Sequence, residues 1–147
     1  MTENNNGAQW GFASKLRKVK EDSSDHVFAK ITNIGLPDQD ADEVDLTSFD
    51  SENGFREFVQ GLKDPGTVDV EAWFTKDFAD EMQGDFNDGT ISTYVIEFPN
   101  EEGVEFKAFV QSIGGEVPME DGLSMEVTLK LTGKPEWKDD ATEDTTE

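Results

Sequence analysis

A mainly β domain with one short packed α-helix is the architecture this sequence predicts. Apolar side chains alternate with polar ones over most of the chain, one stretch alone repeats them every fourth residue, and the alternating runs stop at clusters of Gly, Pro, Asn and Asp. A chain of 147 residues is long enough for one domain with a real core and too short for two.

The elements follow in order. Residues 1–26 are expected to form an N-terminal arm: the first nine are polar and tail-like, and "KLRKVK" at 15–20 concentrates four of the chain's 12 bases. Residues 27–34, "VFAKITNI", are β-branched and aromatic and run into Gly35 and Pro37, which should close a strand. Residues 37–52, "PDQDADEVDLTSFDSE", hold seven acids and no base; they read as a long loop, yet one that carries Val44, Leu46 and Phe49, which a purely solvating loop does not need. Such a loop is expected to be mobile in a free subunit and to order between subunits.

"GFREFVQGLKDPGTVDVEAWF", 54–74, joins an apolar cluster to a tight turn and a clean strand. Phe55, Phe58, Val59 and Leu62 fit a helical face, but "KDPG" followed by a strand fits a hairpin turn, and extended structure is expected. Val68, Val70, Ala72 and Phe74 share one face of the strand at 67–74, with Asp69, Glu71 and Trp73 on the other.

The helix is expected at 75–86, where Phe78, Met82 and Phe86 recur every four residues, Thr75 can cap the start and "NDG" can end it. Strands at 91–98 and 104–113 flank the turn "PNEEG". The cleanest alternation is 124–132, with Met125, Val127, Leu129 and Leu131 inward and Glu126, Thr128, Lys130 and Thr132 outward, the pattern of a sheet wet on one face. The domain proper is taken as 27–138. Residues 139–147 add five acids and no apolar side chain larger than alanine, an acidic tail.

Composition narrows the function. Thirty-four acids against 12 bases give a formal charge of −22, which argues against a protein that binds nucleic acid by neutralising phosphates. A salt-adapted surface would shed lysine, whereas ten lysines stand here against two arginines. With no cysteine, disulfides and thiolate metal sites are excluded. No apolar run approaches the ~20 residues of a membrane span, and residues 1–26 lack a signal peptide's apolar core, so a soluble protein that is not exported by that route is expected.

No catalytic constellation emerges. "DQDADEVD" begins like a calcium loop, but its sixth position is Glu43 where glycine is needed and its twelfth is Phe49 where a bidentate glutamate is needed. His26, the one histidine, has no paired nucleophile and reads as a surface residue, and Gly114 and Gly115 read as a turn or bulge. Neither an enzyme nor a cofactor is expected.

Two segments carry a resemblance. Thr47-Ser48, Gly54, Arg56-Glu57-Phe58 and Gly61-Leu62-Lys63-Asp64 precede a strand, and a late strand reads Val127-Thr128-Leu129-Lys130 before Thr132-Gly133-Lys134-Pro135. The order resembles the major tail (tail tube) proteins of long-tailed siphophages over roughly residues 27 to 137.

The resemblance implies a β-sandwich or half-barrel packed by one helix. It implies a virion tail protein assembled in the host cytoplasm, six copies closing into rings that stack into a tube. Its partners would be further copies of itself and the tape measure, terminator and distal tail proteins, and viral DNA would pass the lumen without specific binding. No membrane is involved, and a plain acidic tail stands where larger relatives append an immunoglobulin-like domain. A type VI secretion-like tube protein, another phage tail component and an acidic DNA-mimic inhibitor stay open as alternatives; the mimic would need its acids tracking one face.

Under this reading the lumen-facing candidates are Glu126, Thr128, Lys130 and Thr132, with Asp69 and Glu71 next, because each alternates with an apolar partner face. The inter-subunit candidates join the two charge extremes: Lys15, Arg17, Lys18 and Lys20 of one copy against Asp40, Asp42, Val44, Leu46 and Phe49 of another.

Overall fold

In the computed structural model, which describes residues 13–20 and 26–140, the elements run β1 (Lys15–Val19), β2 (His26–Val27), β3 (Ile31–Ile34), β4 (Asp40–Asp45), β5 (Phe58–Asp64), β6 (Thr67–Trp73), α1 (Lys76–Asp88), β7 (Ser92–Glu97), β8 (Gly103–Glu116) and β9 (Ser124–Lys138). Seven strands form one antiparallel sheet in the order β2-β1-β7-β8-β9-β6-β3, and β4 with β5 forms a separate two-stranded hairpin.

The two ends of the large sheet are consecutive in sequence. Val27 lies opposite Arg17 of β1 and the Phe28 amide donates to the Leu16 carbonyl, while two residues later the Lys30 carbonyl accepts from the Trp73 amide of β6 and β3 begins at Ile31. One segment, 26–34, therefore pairs with β1 by its first half and with β6 by its second. The sheet must curl round until its edges meet there. Lys30 makes the corner in the left-handed region, at φ 63°, which an L side chain enters only at a cost. The strand expected as continuous over 27–34 is thus broken, because it serves two partners on different sides of the curl.

A curled sheet has an inside, and the alternation fills it. Val68, Val70, Ala72, Tyr94, Ile96, Val104, Phe106, Ala108, Val110, Met125, Val127, Leu129 and Leu131 make one buried cluster with Leu16 and Phe28. Phe74, expected on the same face, lies past the end of β6 and is exposed. β7 and β8 flank the expected turn, and β8 runs on through Gly114 and Gly115, which pair with Glu126 and Met125 rather than forming a turn. A side chain at Gly115 would strike the Ser124 carbonyl, so the close approach of the two strands requires glycine there.

α1 closes the inside. The Thr75 hydroxyl accepts from the Phe78 amide at 3.2 Å, and Gly89 ends the helix in the left-handed conformation. Phe78 and Met82 enter the core, Phe78 edge-on to Phe28 at 5.4 Å, but the third buried position is Asp85, and Phe86 faces solvent. Residues 78, 82 and 85 follow the 3.6-residue turn better than a strict spacing of four.

Asp85 is met by a base. Period-two alternation in "KLRKV" puts Leu16 and Lys18 on the inner face, where Lys18 Nζ donates to Asp85 Oδ2 at 2.7 Å and Glu81 Oε2 at 2.6 Å. Lys20 also reaches Glu81, at 3.1 Å, and the Tyr94 hydroxyl donates to Asp85 at 3.2 Å. Burial raises the Tyr94 pKa far above its ordinary value, and the Asp85 charge adds to this. Burial, the largest influence on Lys18, lowers its pKa, but Asp85 and Glu81 together outweigh it and hold the ammonium above its ordinary 10.5. Burial likewise raises Glu81, and Lys18 and Lys20 outweigh it, leaving the carboxyl below its ordinary 4.5.

These pairings revise two expectations. Residues 15–19 are not part of an arm outside the domain but a strand inside its sheet, between β2 and β7. Arg17, Lys18 and Lys20 are engaged within their own subunit, Arg17 through Glu97 at 3.1 Å, so the neighbour's acidic stretch does not find them free; Lys15 alone of the four is exposed. Of the expected tails at 1–9 and 139–147, all but Asp139 and Asp140 lie outside the described residues.

The clamp between Lys18 and α1 has a pH signature. The lowered Glu81 contributes stability that is present above about 4.5 and lost as pH falls through its folded pKa; the raised Lys18 contributes stability that is present below about 10.5 and lost as pH rises through its folded pKa. Lys18→Met should cost on the order of 3 kcal/mol at pH 7, because it removes the base from buried Asp85 and one of the two bases from Glu81, and the loss should shrink as pH falls through the lowered Glu81 pKa. Denaturant unfolding of both proteins across pH checks this; an equal loss at pH 3 and pH 7 would remove the ion pairs from the account.

Candidate assembly surfaces

The outer face of the β6–β9 pair gathers all six lumen candidates. Glu71 lies opposite Glu126 and Asp69 opposite Thr128, Lys130 and Thr132 follow on the same side of β9, and Lys107 of β8 stands opposite Thr132. The Thr128 hydroxyl donates to Asp69 Oδ1 at 3.0 Å, and Lys130 Nζ to Asp64 Oδ1 at 2.8 Å. Lys130, then the Gly66 amide, hold the Asp64 carboxyl below its ordinary range. The face is polar because its opposite face is the core, and its acids outnumber its bases.

The second surface is the β4–β5 hairpin. The stretch expected as a loop is half a hairpin, paired Ala41 to Lys63, Val44 to Val59 and Asp45 to Phe58, and the partner of 58–64 is this preceding strand rather than the strand that follows the "DPG" turn. Its end is stitched locally: Leu46 N–H donates to the Glu57 carbonyl at 2.8 Å, the Thr47 amide to Asp45, the Glu57 amide to the Thr47 hydroxyl, and Arg56 to Asp45 at 3.2 Å. The Thr47 hydroxyl and amide, with Arg56, hold Asp45 below its ordinary pKa. The expectation of a loop that orders only between subunits therefore gives way to a hairpin already paired within the chain.

No side chain of this hairpin is buried. Val44 and Val59 face each other on one side of it and Phe58 lies on the other, Leu62 sits at an irregularity of the ladder, Leu46, Phe49 and Phe55 are near its tip, and all seven are exposed, Phe49 entirely. So many exposed apolar side chains on one element are unusual for a lone subunit. Of the inter-subunit candidates, Asp40, Asp42, Val44, Leu46 and Phe49 are thus brought together; the basic ones are not with them.

Two backbone points fix the β4–β5 hairpin, an arm outside the core, to the barrel that the curled sheet forms. Asp38 N–H donates to the Thr67 carbonyl at 3.3 Å, and Leu131 N–H to the Gly66 carbonyl at 3.1 Å. Gly66 has φ 83° and would press any side chain against the Asp38 carbonyl.

His26 proves to be a positioning contact, its Nε2 2.8 Å from Asp77 of α1 and its ring against Phe28. Sequence reasoning missed Glu81, Asp85 and Tyr94; the readable signal was a carboxylate at 85, three residues after Met82, on the apolar stripe of α1, where it demands a base.

The comparisons with known proteins now bear on this geometry. The family model described as "Lambda phage tail tube protein, TTP" matches residues 10–138. The chain belongs to this family. Its members are structural tail components, and so is this chain; the match begins before β1, in agreement with β1 being part of the domain.

Solved structures share the fold. The virion of a native gene transfer agent particle contains a chain 20% identical to this one, with TM-score 0.73, covering 89% of this chain and 99% of that one. A chain of the SPP1 tail tube is 12% identical with TM-score 0.62, covering 89% and 79%. The sheath-tube complex of an extracellular contractile injection system gives 11% identity and TM-score 0.64, covering 86% and 89%. A search of curated proteins finds no significant match.

Gly66→Ala should destabilise the protein by more than about 1 kcal/mol, since both the positive φ and the Asp38 contact oppose it. Thermal unfolding checks this; a variant as stable as wild type would mean that the arm's root tolerates displacement.

Proposed function

We propose that copies of this chain close into six-membered rings that stack into the tail tube through which a phage genome is delivered. The observation that carries the reading is the unburied apolar hairpin: a side-chain set that costs hydration in the lone subunit has a use only where further subunits cover it. A neighbour in the gene transfer agent, a tail refined with C6 symmetry, has the same fold at TM-score 0.72 and 20% identity, which supports six-fold closure.

Ring closure needs strand edges, and among the described residues the curl leaves two. β8 pairs with β7 only as far as Ala108, and β9 with β6 only as far as Lys130, so 109–116 and 132–138 each run on with a ladder on one side. Edges of this kind invite a second chain. The sheet's ends do not serve, because residues 26–34 join them within the subunit.

The polar face of Asp69, Glu71, Glu126, Thr128, Lys130 and Thr132 lines the lumen in this reading. DNA carries about one charge per 1.7 Å of axis, and an acid-rich wall repels it rather than holding it. The tube ends meet the tape measure, terminator and distal tail proteins, assembly takes place in the host cytoplasm, and no catalytic role is assigned.

Concentrated protein should form tubes visible by negative-stain electron microscopy, and Phe49→Ser with Leu46→Ser should raise the concentration required while moving the subunit's unfolding by under about 0.5 kcal/mol. Wild-type protein that stays monomeric at every concentration, alone and with tail partners, would sink the proposal. In tubes, cysteines placed at Glu126 and Thr128 should be shielded from bulky external reagents; free reaction would put that face outside.

A further inference from the structure

The tip of the arm carries Asn53 followed by Gly54, in a short helical turn, Glu52–Gly54, between exposed Phe49 and Phe55. Both residues are exposed, and both lie in the left-handed region, at φ 54° and 75°, which asparagine tolerates and glycine enters freely. The turn is held lightly: the Gly54 amide reaches the Ser51 carbonyl only at 3.4 Å, and the Phe55 amide donates to the Glu52 carbonyl at 3.1 Å. Nothing lies within 4 Å of where a Cβ on Gly54 would stand, and no described residue hydrogen-bonds the Asn53 side chain.

An asparagine side chain and the next backbone nitrogen can close a five-membered ring, provided that the nitrogen is unshielded and the backbone is free to rotate. Glycine, without Cβ, removes the shielding. The other described asparagines lack these conditions. Asn33 sits inside β3 and precedes β-branched Ile34; Asn87 lies in α1, precedes Asp88 and accepts from Gln83 Nε2 at 3.1 Å; Asn100 precedes Glu101, and its Oδ1 accepts from the Glu102 amide at 3.1 Å.

We propose that Asn53 deamidates spontaneously through Gly54, a self-modification site at the arm tip. The Gly54 nitrogen loses its proton to solvent base and bonds to Asn53 Cγ, and the side-chain nitrogen takes up a proton and leaves as ammonia. Water then opens the succinimide. Cleavage of the ring bond to Cγ gives aspartate; cleavage of the bond to the Asn53 main-chain carbonyl gives isoaspartate, with one extra methylene in the backbone. One water is consumed, one ammonia is released, and neither oxidant nor cofactor takes part.

Either product adds a negative charge where Asp50, Glu52 and Glu57 already outnumber Arg56, and isoaspartate also lengthens the turn that spaces Phe49 from Phe55. A subunit left unassembled therefore loses competence with age, whereas a covered tip is spared because ring closure needs the backbone to rotate. This consequence rests on the tube reading; the site does not.

Free subunit held in mildly alkaline buffer and followed by peptide mapping with fragmentation should show the amide-to-acid mass shift at residue 53, split between two isomeric products, at a rate about tenfold or more above Asn87 and Asn100. Asn6-Gly7, the same dipeptide outside the described residues, is read on a separate peptide. Asn53→Gln, whose ring would need a further member, should leave residue 53 unmodified over the same period. A rate at Asn53 no higher than at Asn87 or Asn100 would overturn the site. Asn53→Asp should raise the concentration needed for tubes about threefold, and wild-type tubes should deamidate more slowly than free subunit. Equal concentrations and equal rates would overturn the consequence while the site stands. Wild-type protein that forms no tubes would overturn the tube reading instead, and the peptide map of the free subunit would still decide the site.

Discussion

Everything in this protein hangs on the corner at Phe28–Lys30. Because residues 26–28 bond to β1 and residues 30–34 to β6, seven strands that could lie open as a sheet are held in a curl with one dry side and one wet side. The dry side explains the period-two alternation of β6, β8 and β9. The wet side inherits every polar residue in phase with it. The helix then has one place to go, over the inside, and it is anchored there by an ion pair rather than by apolar contact alone.

Much of this was legible. Met125, Val127, Leu129 and Leu131 placed the first nine residues of β9 in register, although the strand runs on to Lys138, and Thr75 and the "NDG" stop located α1 within two residues. The polar face followed from the same alternation. Fold and family were recognisable from short motifs, of which Arg56-Glu57-Phe58 and Gly61-Leu62-Lys63-Asp64 turn out to lie on the arm and Thr128-Leu129-Lys130 on the barrel wall beside its root.

What was not legible has a common physical cause. "KLRKV" looks like a solvated basic run, because period two in five residues with three bases is masked by charge; its inward Lys18 is intelligible only together with Asp85, sixty-seven residues on. The arm strand "DADEVD" has no buried face, so there is no hydrophobic period to read, and what makes it a strand is backbone pairing with β5 alone. The kink at Lys30 reflects two partners of one segment, which no local pattern records. In each case long-range pairing decided what local composition left open.

The arm's independence from the barrel has a consequence for how such a protein can vary. Its ladder is internal, its side chains are outside the core, and it joins the wall through short backbone contacts at Asp38 and Gly66 and the ion pair of Asp64 with Lys130. It is a cassette. Its length and tip can drift without re-solving the packing of the domain, and in the assembly proposed above the contact between copies can then diversify while the barrel stays constant. Lineages of such chains would become mutually incompatible by their arms first, and mixed populations in one cell would sort themselves into separate filaments.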